Sequence, residues 1–411
     1  MPKKYIIGFD FGHGETAAWV VPLAGVTDMD PNGESLRLKA TNNVNDRVRY
    51  SVVFKNLDGS YTLEAIPRSA LIGKMKSRVS DLNKKPELKE AYRAYIRLVV
   101  ESVLKLNPIL KVKDTDGKPN FYMCMASPTK WNDQDKNDYL AFFNEAVKDL
   151  GVSFEWIINE SDAAFFSHKD KVNHDEVTLV IDYGSSTIDY TVMYQGKKVS
   201  KDEWSNGELG AGSIERDILN SYRANDYDGY QTVYSGAQAL LISTGNRHIN
   251  IENMLDYQCR LIKEGAYTNG VDSSALEYHF GPHLEDMSFR RHRFEYDFSM
   301  SEVTAHYRSV VEGDIRNLTD MIKNDTGKNV NTIILSGGAC IMTWVPKMVK
   351  AIFPNAKIID DRNPSFVVAR GIALYAAAQK NALEELKASI KSEDFEGTYR
   401  VADSQATKDA I

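Results

Sequence analysis

Two short segments of this chain carry the same punctuation, and their pairing limits what it can fold into. Tyr5 to Val21 runs as an apolar stretch, an Asp-x-Gly-x-Gly turn at Asp10-Phe11-Gly12-His13-Gly14, and a second apolar stretch stopping at Pro22. That pattern predicts a β-hairpin. About 170 residues later Leu179-Val180-Ile181 leads into Asp182-Tyr183-Gly184-Ser185-Ser186-Thr187 and out through Tyr190-Thr191-Val192-Met193, which repeats the design. In a chain of 411 residues, such a repeat predicts two halves on one plan, each with a carboxylate at a strand end. A lone motif would need no more than an Asp that starts a turn; its recurrence argues for a shared task.

Further landmarks follow from hydrophobic periodicity. Thr332 to Gly338 reads as a buried strand broken by the paired glycines Gly337-Gly338, before a helical stretch from Trp344 to Phe353. Pro86 to Leu106 and Asp133 to Leu150 carry helical spacing, Phe121 to Met125 reads as a buried strand, and Gly371 to Ile390 as a terminal helix. Two lobes are predicted, residues 1–175 and 176–390, followed by a polar tail over 391–411. The stretches from about 41 to 115 and from about 215 to 320 read as charged, aromatic and irregular, and as insertions that form outer subdomains.

Bulk chemistry excludes several classes. A net charge of -7 opposes broad binding to a phosphate backbone, which needs clustered Lys and Arg. The one basic run, Arg290-Arg291-His292-Arg293, is short and turns acidic at once, as a solvated helix face would. No apolar run approaches the roughly eighteen residues that span a bilayer. Cys124, Cys259 and Cys340 lie far apart without metal-ligand spacing, which fits neither zinc nor a disulfide framework and suits a reducing cytoplasm. Neither nucleic acid nor membrane is expected as a partner.

Phosphoryl transfer asks a protein for glycine-rich turns, a metal held by carboxylates and a cation, and the two hairpins match that demand. Gly12 and Gly14 would approach one side of a phosphate chain, and Gly184, Ser185, Ser186 and Thr187 the other, with Asp10 and Asp182 facing a shared Mg2+. Magnesium keeps several waters, so contact through water is as open as direct ligation. Gly12 to Ala17 also fits the dinucleotide pattern G-x-G-x-x-A, but Trp19-Val20-Val21-Pro22 allows no full helix after it. There is no Walker A sequence.

These residues resemble the actin-like ATPase superfamily, and within it the nucleotide-binding domain of the seventy-kilodalton heat-shock chaperones. Ile7 to Gly12 resembles the first phosphate motif, Val180 to Asp189 the second, and Trp156 to Ala164 the first segment connecting the lobes. Leu335 to Gly338 is similar to the adenosine motif, and Asn363-Pro364 through Gly371 to the second connecting helix. The resemblance implies an α/β fold of actin-like type, two lobes each with a duplicated sheet and helix core plus outer subdomains, binding ATP or ADP with Mg2+. It implies Asp10 and Asp182 around magnesium, Glu160 orienting the attacking water, Thr187 against the phosphates, and a catalytic lysine at Lys76 or Lys74. A solvated lysine pair is the plainer reading of those two.

Lys263-Glu264 resembles the stretch that holds ribose and adenine, though a surface helix would look the same, and Gly210-Ala211-Gly212 resembles the glycine turn of the second lobe, though a plain loop would too. Departures are equally visible. His13-Gly14 stands where the chaperones carry two hydroxyl residues, Ala339-Cys340-Ile341 lacks polar and basic residues near adenine, and nothing after Ile390 resembles their linker or peptide-binding domain. The expected function is a slow ATPase switch whose lobe closure a protein partner reads. A filament-forming actin relative and a small-molecule kinase are the alternatives.

Overall fold

The first hairpin forms where the sequence places it, because both strands are nearly continuous apolar runs that bury two faces at once. β1 (Tyr5–Phe11) pairs antiparallel with β2 (Glu15–Pro22), with Asp10 opposite Ala17. The computed structural model describes residues 4–23, 38–40, 48–66, 69–111, 117–128, 130–201, 204–243, 245–247, 250–268, 299–361 and 363–389. The basic run at 290–293 and the tail 391–411 lie outside the described residues.

β3 (Arg49–Tyr50), β4 (Val52–Lys55), β5 (Tyr61–Thr62) and β6 (Ala70–Gly73) follow, then β7 (Phe121–Ser127) and β8 (Phe154–Asn159). The later strands are β9 (Thr178–Tyr183), β10 (Ile188–Tyr194), β11 (Lys197–Lys198), β12 (Thr332–Ser336) and β13 (Lys357–Asp360). Among the described residues two five-stranded sheets have the orders β3-β2-β1-β7-β8 and β11-β10-β9-β12-β13. Strand by strand the two match: an antiparallel hairpin at the centre, then two parallel additions.

The helices repeat as well. In the first half Pro86–Leu106 precedes β7, Asp133–Val147 joins β7 to β8, and Glu160–Phe166 leaves β8. In the second, Ala305–Thr326, Trp344–Ile352 and Val367–Ser389 take the same places around β12 and β13. Pro86 opens its helix at the first turn, where a missing N–H costs nothing. The Asn132 side chain accepts from the Asp135 amide at 2.8 Å and caps the next helix.

Each sheet carries one core on its outer face. Phe9, Phe11, Val99, Val103 and Phe143 belong to the first; Leu179, Ile181, Ile315, Leu318 and Val345 to the second. A third core lies between the sheets, where Ile6, Val180 and Ile334 meet the helices Glu160–Phe166 and Val367–Ser389. At about 1.5–3 kcal/mol per fully buried aliphatic side chain, these cores bind the two halves together. The two connecting helices cross so closely that a Cβ on Gly371 would sit 1.7 Å from the Ala163 carbonyl oxygen.

Two expectations are revised. The terminal helix begins at Val367, four residues before Gly371, because Val367, Val368 and Ala369 are buried in the central core and packing overrides the weak helical preference of valine. The stretches read as irregular are largely regular where described, with helices at Gly212–Asn225, Tyr227–Ser243 and Ile251–Thr268 and a three-stranded sheet of β5, β4 and β6. Helices Pro86–Leu106 and Ala305–Thr326 bury their apolar stripes in the sheet cores.

Candidate functional site

Both acidic turns stand at the ends of equivalent central strands, so the duplicated topology carries them to opposite walls of one cleft of about 930 Å³. Its lining includes Asp10, Gly12, His13, Gly14, Lys76, Glu160, Asp182, Gly184, Ser185, Ser186, Thr187, Lys263, Glu264, Gly337 and Gly338. The tips nearly touch, since a Cβ on Gly14 would lie 2.7 Å from that of Ser185.

Three anticipated residues sit elsewhere. Lys74 does not line the cleft: its left-handed backbone (φ 53°) turns the side chain to Asp256, 2.7 Å away. Lys76, two residues on, does line it and pairs with Glu160. Gly210 and Gly212 stand behind the second tip, where added Cβ atoms would meet the Ser186 and Ser185 backbone at 2.2 and 2.8 Å.

That backing matters for the tip's polarity. The amides of Gly210, Ala211 and Gly212 donate to the carbonyls of Ser186, Gly184 and Ser185 at 3.3, 3.0 and 2.7 Å. In a planar trans peptide the N–H points opposite the C=O, so the amides of Ser185, Ser186 and Thr187 face away from this backing. The first tip is tied from behind too: Ser51 donates to the Gly12 carbonyl through its hydroxyl at 2.7 Å and to the Gly14 carbonyl through its amide at 2.9 Å. Both tips thus turn backbone donors away from the carbonyls that hold them.

The charges between the tips do not balance. Asp10, Glu160 and Asp182 interact with one another and with Lys76, whose ammonium pairs with Glu160. Burial pushes the Asp10 carboxyl up to about 7, Glu160 adding to the effect and Lys76 opposing it. Burial, then Glu160 and Asp10, raises Asp182 well above the carboxylate range. Burial works against the Lys76 charge, yet Glu160 and Asp10 outweigh it and hold its pKa above the usual lysine value. When ionised, the three carboxylates outnumber the one ammonium, a surplus that the raised Asp10 and Asp182 express and that a divalent cation would offset. Among the described residues no three His, Cys, Asp or Glu side chains are close enough to ligate a metal together.

Sequence reasoning missed Arg260, Glu15 and Tyr50, and named Thr187 and His13 without the groups they meet. Arg260 on the helix Ile251–Thr268 donates to the Gly14 carbonyl, pairs with Glu264 at 2.6 Å and lies over the Tyr50 ring at 4.7 Å. Burial opposes its charge, while Glu264 and Glu15 hold the guanidinium pKa high. Burial raises Glu15, which also hydrogen-bonds Ser365. Tyr50 donates to Glu264, and Thr187 donates to Asp189 at 2.7 Å. Burial and then Lys74, Lys76 and Arg260 push His13 down to about 4, which keeps the imidazole neutral. Arg260 sits three residues before Lys263 in the stretch already singled out; Glu15 simply follows Gly14.

No family model matches the chain. Over 255 residues it is 23% identical to the chaperone protein dnaK1 of Synechocystis sp., a match covering 59% of this chain and 34% of that protein. The chain therefore spans well under half the length of that relative. The resemblance read from the motifs is carried at this coarse level, as a distant likeness to a chaperone protein. No described helix is long and apolar enough to cross a membrane, and the three cysteines are free and buried.

Proposed function

We propose that this protein is an actin-like ATPase of the chaperone type, binding Mg-ATP in the cleft and hydrolysing it slowly as a conformational switch. The observation that carries the reading is the convergence, from equivalent strands of two matching sheets, of two turns with Asp10, Asp182, Glu160 and Lys76. The distant likeness to dnaK1 supports it independently.

In this reading the amides of both tips bind the phosphates, and Lys263, Glu264 and Gly337-Gly338 hold the nucleoside. Magnesium, when bound near Asp10 and Asp182 through its waters, supplies charge neutralisation along the phosphate chain. Glu160, fixed by its pair with Lys76, orients a water for in-line attack. Lys76 stabilises the charge that develops on the transferring group. No strong general base is needed, which suits slow turnover. Closure about the crossing of the two connecting helices would give a protein partner an angle to read.

The test is phosphate release from Mg-ATP by the wild type and by Glu160→Gln and Lys76→Ala. Loss of turnover in both variants is expected, with nucleotide binding kept in Glu160→Gln; full turnover in both would end the assignment. Filament assembly is the second reading, for which the exposed apolar side chains of Leu57, Ile66, Tyr227 and Ile242 offer surface. ATP-dependent sedimentation would reveal it.

A further inference from the structure

The first tip is held from behind by buried hydroxyl groups, in which Tyr95 donates most closely to Thr16, with the Tyr50 carbonyl and Ser51 hydroxyl farther away at 3.3 and 3.5 Å. The Gly12 carbonyl can only accept, so the Ser51 hydroxyl, 2.7 Å away, must spend its proton there. Ser51 then has only lone pairs for its buried contact with the Thr16 hydroxyl at 3.3 Å, which makes Thr16 the donor. Thr16 in turn accepts from the Tyr95 hydroxyl at 2.7 Å. Tyr95 stands on the helix Pro86–Leu106, deep in the first core, where burial pushes its phenol up to about 12 and keeps it a donor. Thr16, Ser51 and Tyr95 are at most 5% exposed, so water does not compete for these bonds. Hydroxyls linked in series polarise one another and strengthen the last bond.

We infer that Ser51, with Thr16 and Tyr95 behind it, is the positioning residue that turns the Gly12–His13 peptide, directing its amide toward the phosphates of a bound nucleotide. The inference rests on the proposed nucleotide site and names a residue that controls it without touching the ligand. Planarity makes the link: with the Gly12 oxygen held by Ser51, the His13 N–H points the other way. The Ser51 amide fixes the next carbonyl but one, at Gly14. Ser51 therefore sets two of the three peptides between Gly12 and Glu15. Its position between β3 and β4 couples them to the outer three-stranded sheet.

Ser51→Ala deletes the hydroxyl and keeps the backbone bond to Gly14. Binding of ATP, ADP and adenosine is measured by titration calorimetry on the full chain with magnesium, for the wild type, Ser51→Ala, Ser51→Thr and Tyr95→Phe. Losing one well-placed hydrogen bond predicts about tenfold weaker ATP and ADP binding in Ser51→Ala. Adenosine, which has no phosphate to sense the peptide, should stay unchanged. Ser51→Thr should recover most of the affinity, and Tyr95→Phe should show a smaller loss in the same direction. Equal losses for adenosine and ATP, or unchanged ATP binding in Ser51→Ala, would overturn the inference. A wild type that binds none of the three ligands would instead overturn the nucleotide site on which the inference stands.

Discussion

The two hairpin tips have the same strands, the same order and the same acidic residue, yet they are held in different ways. Behind the second, three consecutive backbone amides at 210–212 grip three consecutive carbonyls at 184–186. Behind the first, side chains do most of the work: Ser51 and its hydroxyl partners grip one carbonyl, and Arg260 reaches across from the other half to another. A duplicated fold can thus reproduce a geometry without reproducing its supports. Backbone support is insensitive to the identity of most side chains and intolerant of added bulk. Side-chain support can be tuned one residue at a time.

The backbone support of the second tip should fail first against added bulk behind it. Gly210→Ala places a methyl 2.2 Å from the Ser186 carbonyl carbon, a backbone atom that cannot move aside. Destabilisation at or above the ~1–3 kcal/mol usual for overpacking is expected, read as a fall in the midpoint of thermal unfolding together with lost ATP binding. Gly184→Ala, in the same tip, meets its nearest atom only at 3.6 Å, and should change stability by less than about 1 kcal/mol. Similar behaviour of the two variants would show that the 210–212 backing does not hold this tip.

A larger free-energy cost is expected at the pair beneath the tips. Lys76 and Glu160 have side chains only 10% and 18% exposed, so Lys76→Ala leaves a carboxylate without its partner. The expected cost is about 3–5 kcal/mol, recovered in large part by Lys76→Ala/Glu160→Gln. A denaturant titration of the single and double variants checks it. Lys74→Ala should cost less, because Arg216 also pairs with Asp256, at 2.6 Å, and remains in place.

Acidity sharpens the comparison further. The folded-state value of Asp10 is raised from 3.8 to about 7. Its contribution to stability is therefore fully present below about pH 4 and is lost as pH rises through 7. His13 runs the other way: lowered from 6.5 to about 4, it contributes above pH 6.5 and that contribution is lost as pH falls toward 4. Asp10→Asn should therefore raise the unfolding midpoint at pH 8 by several degrees, and by much less at pH 5. Magnesium added to the wild type should act in the same direction, stabilising more at pH 8 than at pH 5. Equal effects at both values would contradict the charge surplus assigned to the site.

Much of this arrangement was legible in the sequence because its signals are local. Continuous apolar runs ending at Asp turns wrote the hairpin strands at Tyr5–Phe11 and Thr178–Tyr183, and a proline start with clean helical spacing wrote Pro86–Leu106. What was missed depends on contacts between distant segments. Arg260 meets Gly14 across 246 positions, and nothing near either residue announces the other. Ser51 is an unremarked serine until the Tyr95 helix packs against it. Lys74 and Lys76 look interchangeable in sequence, and only the backbone turn at Lys74 separates them. The helices at 212–268 were obscured because their apolar faces make sense only against the neighbours they bury.

The central claim is that Asp10 and Asp182 serve one magnesium nucleotide from opposite walls. Titration of ATP into the wild type, Asp10→Asn and Asp182→Asn, with and without magnesium, tests it most directly. One molecule of ATP per chain is predicted for the wild type, with affinity dependent on magnesium, and each substitution alone should remove that dependence. Magnesium-dependent binding that survives either substitution intact would contradict the account.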